Sequence, residues 1–300
     1  MEEFGPLSTL NDIIIPKKSK SSKKSPQKKS ITPIVVLLII FAIILTSIAI
    51  ALIIIILLRS DSDSETIGKN DAINAGEIKA LYDIKNPDKE ILILGKEFKS
   101  LDNLTIYINE IKIENSEIKN HFYKFKDKGF HTIKFVINTN GGFDMEKMFE
   151  NIIELKEVEM YSRNGLKLKS MNSAFKGCIN LELFDMKGFN TSEIVSFKEL
   201  FHKTKLNKID LKSFVNLKSA EDMSYMFAET KLIKVDLSYF KNANNLKDIS
   251  YMFYNCDSLE RVNMGDFTGN VIFMQHLFDN CTSLIDLNSD QLQTGNVINM

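Results

Sequence analysis

Asp222-Met223-Ser224-Tyr225-Met226-Phe227-Ala228-Glu229-Thr230-Lys231-Leu232-Ile233-Lys234-Val235-Asp236-Leu237 is the stretch whose reading decides the fold, because its parts recur along the chain. Phe227 has counterparts at Phe149, Phe175, Phe201, Phe253 and Phe278, with four steps of 26 residues and a last step of 25. Four residues before each of the six stands Met145, Met171, Phe197, Met223, Ile249 or Met274, and Met300 falls in phase for a seventh unit. A period of this length is the mark of a solenoid, in which each unit buries its apolar side only against its neighbours.

Within the unit, Leu232-Ile233-Lys234-Val235-Asp236-Leu237 alternates at its end, as do Leu206–Leu211 and Leu259–Met264. That pattern predicts a short strand with one inward face. A further aromatic follows in four units, at Phe189, Phe214, Phe240 and Phe267. Met223, Met226 and Phe227 are spaced by three and four, which predicts one or two helical turns, with Asp222 as their cap. Strand, turn, short helix and turn make an α/β repeat solenoid of the leucine-rich-repeat kind, about 26 residues per unit.

Ser250-Tyr251-Met252-Phe253-Tyr254-Asn255-Cys256-Asp257-Ser258-Leu259, Met223-Ser224-Tyr225-Met226-Phe227 and Phe278-Asp279-Asn280-Cys281-Thr282-Ser283-Leu284 resemble the core motif of BspA-type leucine-rich-repeat surface proteins. The same repeats are known as a domain of unknown function in mycoplasma surface proteins. Asn190-Thr191-Ser192 and Gly269-Asn270-Val271 echo the stretch that precedes the next unit in that family. The resemblance covers roughly residues 143–300, and the third unit departs from it, with Phe197 in place of Met and Thr204 in place of Cys. It implies a surface-exposed interaction protein, often adhesive, and carries over no catalytic residue.

Ile34–Leu58 is a run of 25 residues without charge or proline. As a helix it would span about 37 Å, against about 30 Å of hydrocarbon. It is too long for the apolar region of a cleaved signal peptide, no small-residue cleavage site follows it, and the first cysteine, Cys178, excludes a lipoprotein signal. The expectation is an uncleaved signal anchor. Lys17, Lys18, Lys20, Lys23, Lys24, Lys28 and Lys29 precede it, whereas Arg59 and Lys69 are the basic residues in the twenty that follow. The positive-inside bias puts the N-terminus in the cytoplasm and the repeats outside the cell. Net charge divides the same way, +4 over residues 1–58 and −5 over the remainder. A mildly acidic outer portion offers nucleic acid no basic face.

The polar stretch after the span, with Ser60-Asp61-Ser62-Asp63-Ser64-Glu65, reads as a stalk. From Glu90 onward Ile91–Leu94, Leu104–Ile108, Ile111–Ile113, Phe122–Phe125 and Thr132–Ile137 read as strands, with turns at Asn109-Glu110 and Asp127-Lys128-Gly129. They suit a small immunoglobulin-like β module that caps the first repeat. The expected order is a cytoplasmic lysine-rich tail (1–30), the transmembrane helix (31–58), a flexible stalk (59–85), the β module (86–140) and the repeats (141–300), whose last unit is cut short at the C-terminus.

Chemistry finds little footing. His121, His131, His202 and His276 occupy different repeat phases and read as scattered surface or edge residues; no metal-binding or P-loop spacing is present. No enzyme activity, cofactor or metal is expected. Cys178, Cys256 and Cys281 stand three residues after a repeat Phe, where Thr204 and Thr230 stand in other units. A slot shared by Cys and Thr is small, buried and supplied with a weak donor, and an odd count argues against a disulfide framework. Asp185, Asp210, Asp236 and Asn263 form a second column, which reads as a solvated strand face or a place for a cation or basic ligand. Asn103, Asn190 and Asn280 fit the glycosylation sequon, which matters only in a eukaryotic cell. The expected function is adhesion, or binding of proteins or cell surfaces, through an extracellular solenoid. The alternative is a receptor-like or structural scaffold that signals through the short cytoplasmic tail.

Overall fold

The computed structural model describes residues 75–139, 141–265, 271–290, 292 and 294–299. The lysine-rich tail, the expected membrane helix, the stalk up to residue 74, and Phe267 and Met300 lie outside the described residues. No helix among the described residues is long and apolar enough to cross a membrane.

Strands β1 (Gly76–Ile84), β2 (Glu90–Leu92), β3 (Leu104–Ile108), β4 (Ile111–Ile113), β5 (Phe122–Lys124) and β6 (Gly129–Ile137) come first. β7 (Phe143–Asp144), β8 (Leu155–Tyr161), β9 (Leu168–Ser170), β10 (Leu183–Lys187), β11 (Lys234–Asp236), β12 (Arg261–Asn263) and β13 (Asp286–Asn288) belong to the repeats. Asn109 and Glu110, with φ of 50° and 67°, turn β3 into β4, the left-handed pair that a tight two-residue hairpin requires.

β1 corrects two expectations. It lies in the stretch read as flexible stalk, yet Ile78, Ala80, Tyr82 and Ile84 alternate inward and are fully buried. It pairs antiparallel with β6 on one side and with β8, on the strand side of the first coil, on the other. Module and solenoid thus share one six-stranded sheet, ordered β10-β8-β1-β6-β3-β4, while β2 and β5 form a separate two-stranded ribbon. One sheet continued into the repeats replaces the expected immunoglobulin sandwich, and β1 satisfies the strand edge that the first coil would otherwise expose.

The repeat itself is β rather than α/β. The structure is a β-solenoid of about five turns with 26-residue spacing, and no α-helix occurs among the described residues. Around Met223–Thr230 the amides alternate in their partners. Those of Tyr225, Phe227 and Glu229 donate to the next coil, at the carbonyls of Ser250 (3.1 Å), Met252 (3.0 Å) and Tyr254 (2.8 Å). Those of Met226 and Ala228 donate three residues back, to Met223 and Tyr225 (3.2 Å each). Tyr225 and Glu229 are left-handed, both with φ of 57°, and equivalent residues repeat this in the other coils. A left-handed residue costs on the order of 1 kcal/mol and ends any helix; here the bonds between coils offset that cost. The spacing of three and four that suggested a helix is kept, because this ribbon of turns also sends Met223, Met226 and Phe227 to one side. Asp222 does act on its first turn: its Oδ1 accepts the Ser224 amide at 2.8 Å.

Inside the stack the six repeat phenylalanines form one column. Centroids from Phe149 to Phe175, Phe201, Phe227, Phe253 and Phe278 are separated by 5.4, 5.6, 5.9, 5.6 and 5.5 Å, with interplanar angles of 12° or less. The first five are fully buried, and Phe278 is half-buried in the last coil. Phe135 of β6 meets Phe149 edge-on at 5.6 Å, so the column continues into the module's core. Gly188 marks the tightest approach between coils: its φ is +77° and an added Cβ would lie 2.0 Å from the Ser162 carbonyl oxygen.

Candidate interaction surface

The strand side of the coil presents alternate residues to solvent, and pairing register stacks them into two columns. One runs Lys234, Arg261, Asp286 and the other Asp236, Asn263, Asn288. In β8 and β10 the same columns hold Glu157 beside Leu183 and Glu159 beside Asp185. The repeat places Lys208 and Asp210 between these two sets.

The acidic column first serves the backbone. Oδ1 of Asp210, Asp236 and Asn263 accepts the amide two residues on, at Lys212 (3.0 Å), Ser238 (3.0 Å) and Gly265 (3.2 Å). Each side chain therefore closes the corner after its strand, and Asn263 also donates to Asp236 at 3.0 Å. Asp185 pairs with Lys187. Among the described residues, no group of three or more His, Cys, Asp or Glu side chains could hold a metal ion.

Oppositely charged side chains meet across neighbouring coils at the repeat spacing: Lys156 with Glu182, Lys231 with Asp257 at 2.9 Å, and Lys247 with Glu221 at 2.7 Å. The sequence carried this signal, since residues 26 apart change sign along these columns. Such exposed pairs hold the surface in register more than they stabilise it.

The Cys/Thr column lies behind the phenylalanines. The thiols of Cys178, Cys256 and Cys281 donate to the carbonyls of Phe149 (2.8 Å), Phe227 (3.1 Å) and Phe253 (3.0 Å) in the preceding coil, while Thr230 donates to Phe227 in its own. Thr204 Oγ1 is buried without a partner among the described residues. All three thiols are free. Burial pushes Cys178 and Cys256 above the ordinary thiol value and pushes Cys281 up to about 12, so none is poised as a nucleophile.

Two histidines depart from the surface reading. His131 is buried, with Nδ1 accepting from Asn109 Nδ2 at 2.9 Å and Nε2 donating to the Asp127 carbonyl at 2.9 Å. His202 is also buried, its Nε2 3.1 Å from Glu229 Oε1 on the next coil and its ring tilted against Tyr225. His121 reaches the Gly95 carbonyl at 2.6 Å, and His276 stacks on Tyr251, which stacks in turn on Tyr225 at 4.5 Å. This outer aromatic file was missed because Tyr225, Tyr251 and His276 share a repeat phase but not a residue type.

Of the sequon asparagines, Asn103 and Asn190 are half-buried and Asn280 is exposed. Asn190 Oδ1 accepts the Ser192 amide at 2.9 Å, and Asn280 Nδ2 donates to Asn255 at 2.7 Å. The seven lysines before Ile34 lie outside the described residues.

No curated protein and no solved structure matches the chain. One family model does, three times in overlapping register, over residues 116–240, 143–267 and 215–300. The first match begins inside the module, upstream of β5, and together they take in the whole stack. With well over half its length matched, the chain belongs to the family described as "Mycoplasma protein of unknown function, DUF285".

Proposed function

We propose that this is a single-pass membrane-anchored surface protein of the BspA type, which binds other proteins or cell surfaces through its solenoid. The observation that carries the reading is a division of labour in the sequence: an uncharged 25-residue run with seven lysines on its N-terminal side, followed by a long repeat stack. The lysines hold the N-terminus in the cytoplasm and the repeats stand outside. The exposed strand side supports a binding role, since its mixed columns of Lys, Arg, Asp and Asn offer extended polar contact without any reactive group.

Protease added to intact cells should digest the repeats and spare a tag placed before Met1. Repeats that stay protected until the cells are permeabilised would reverse the orientation and remove the adhesion reading with it.

A further inference from the structure

Where the module meets the first coil, β2, Phe122 of β5 and the turn Glu150–Glu154 enclose a groove. Its floor is apolar: Leu92 and Phe122, directly opposite each other in the ribbon, are half-buried, and Ile153 is 51% exposed. Its rim carries Glu90, Glu97, Glu150 and Glu154 against a single ammonium, Lys96. Glu97 is neutralised by Lys147. Among the described residues, Glu90, Glu150 and Glu154 have no ion-pair partner, and neither has Lys96, which leaves the groove at −2.

Two further features say what would fill it. The chain's own Lys96 holds its ammonium 5.9 Å from the Phe122 ring centroid, so this floor already accepts a cation over an aromatic face. β2 pairs with β5 and with no other strand, so its second edge is free among the described residues. A free strand edge beside apolar side chains takes an extended segment by main-chain bonding, with alternate side chains on the apolar face.

We infer that this groove binds an extended, lysine- or arginine-bearing peptide segment of a partner protein, with the cationic heads at Glu150 and Glu154 and the aliphatic stems on Ile153 and Phe122. Burial pushes the carboxyls of Glu150 and Glu154 above the ordinary range, and Lys147 and Lys176 only partly counter this at Glu150. A cation seated there would relieve that cost. The sign of the rim rejects nucleic acid and anionic headgroups. The inference does not depend on membrane anchoring or on binding at the strand side.

The test is a fluorescence-anisotropy titration of the full chain with a labelled peptide of alternating lysine and valine. Saturable binding is expected, with no binding of the matched glutamate–valine peptide. The double substitution Glu150→Gln and Glu154→Gln, which keeps side-chain shape, should weaken binding at least tenfold. Ile153→Asp should abolish it, and Glu182→Gln on the strand side should leave it within twofold. Binding unchanged by the double substitution, or equal for the two peptides, would overturn the inference. So would self-association in sedimentation that Ile153→Asp dissolves, since the groove would then belong to a second copy.

Discussion

The third and fourth coils read almost alike, Leu206-Asn207-Lys208-Ile209-Asp210-Leu211 beside Leu232-Ile233-Lys234-Val235-Asp236-Leu237, yet only the fourth contains a strand. On the turn side the two coils are equivalent. Phe201 and Phe227 stack at 5.9 Å, and the amides of Glu199, Phe201 and Lys203 donate to the carbonyls of Ser224, Met226 and Ala228. On the strand side the sheet stops at β10 and resumes at β11. Among the described residues Ile209 and Asp210 make no backbone bond, although the carbonyls of Leu206 and Asn207 just before them accept the amides of Lys231 (3.0 Å) and Ile233 (3.2 Å). The two sides of a coil are therefore held separately, and an intact aromatic column does not enforce an intact strand ladder.

Phe184 is the candidate cause. It sits in β10 opposite Val158 of β8, in the inward file that Ile209, Val235 and Val262 continue. Its ring meets Phe175 at 5.2 Å, Phe201 at 4.9 Å and Phe214 at 6.3 Å. An aromatic thus stands where the next coils carry a β-branched residue, and Phe184→Val tests whether its bulk keeps the third strand from forming.

The largest expected effect tests whether the columns carry the stability. Phe227→Ala should cost about 3–5 kcal/mol, the usual range for a fully buried aromatic, and Ile209→Ala about 1–2 kcal/mol because its side chain is only half-buried. Chemical denaturation measures both, and equal losses would abolish the distinction between the two sides. Phe184→Val sharpens it: the amides of Ile209 and Asp210 should exchange more slowly than in the parent chain as the gap closes. Exchange that stays fast would acquit Phe184.

A smaller effect separates carboxylates that the fold has paired from those it has not. Burial pushes the Glu199 carboxyl up, but the hydrogen bond and charge of Lys176 outweigh it and hold the group below its ordinary value of 4.5. Its contribution is present above the unfolded pKa and is lost as pH falls through the depressed folded one. Glu154 is raised by burial, so its charged form costs stability at pH 7, and that cost shrinks as pH falls through the folded pKa and is gone below the unfolded one. Denaturation at pH 7 should find Glu199→Gln destabilising and Glu154→Gln neutral to stabilising, with both differences shrinking toward pH 3. Two effects of the same sign would refute the assignment. Smallest of all, Lys231→Ala, which breaks an exposed pair with Asp257, should change stability by no more than about 0.5 kcal/mol.

Legibility in the sequence followed how local each cause was. The phenylalanine period could be read because every member of the column is the same residue, apart from its frame. The helix expectation failed because Met223, Met226 and Phe227 have a spacing that a helix and a ribbon of alternating turns share; the left-handed residues that tell them apart include Tyr225 and Glu229, which do not announce it. At the same corner Asn151, Gly177 and Asn255 did carry a signal, since these types enter that conformation most readily. β1 was legible in the alternation of Ile78, Ala80, Tyr82 and Ile84, hidden by the polar run before it. The break at the third coil could not be read from that coil, whose residues match those of the fourth almost one for one. The groove at the junction was equally hidden, since Glu90, Phe122 and Glu154 are brought together only by the fold.

The bonds that join coils all point along the stack, and this gives the molecule a mechanical grain. A pull along that direction loads the rungs in series, so the weakest rung sets the yield of the whole. The other rungs described here are gripped on both sides, whereas the third lacks a strand-side backbone bond to β10 among the described residues, although the carbonyls of Leu206 and Asn207 still accept the amides of Lys231 and Ile233 from the fourth coil. A stretched stack should therefore part between β10 and the third coil, leaving the module with the first coils as one piece and the later coils as another.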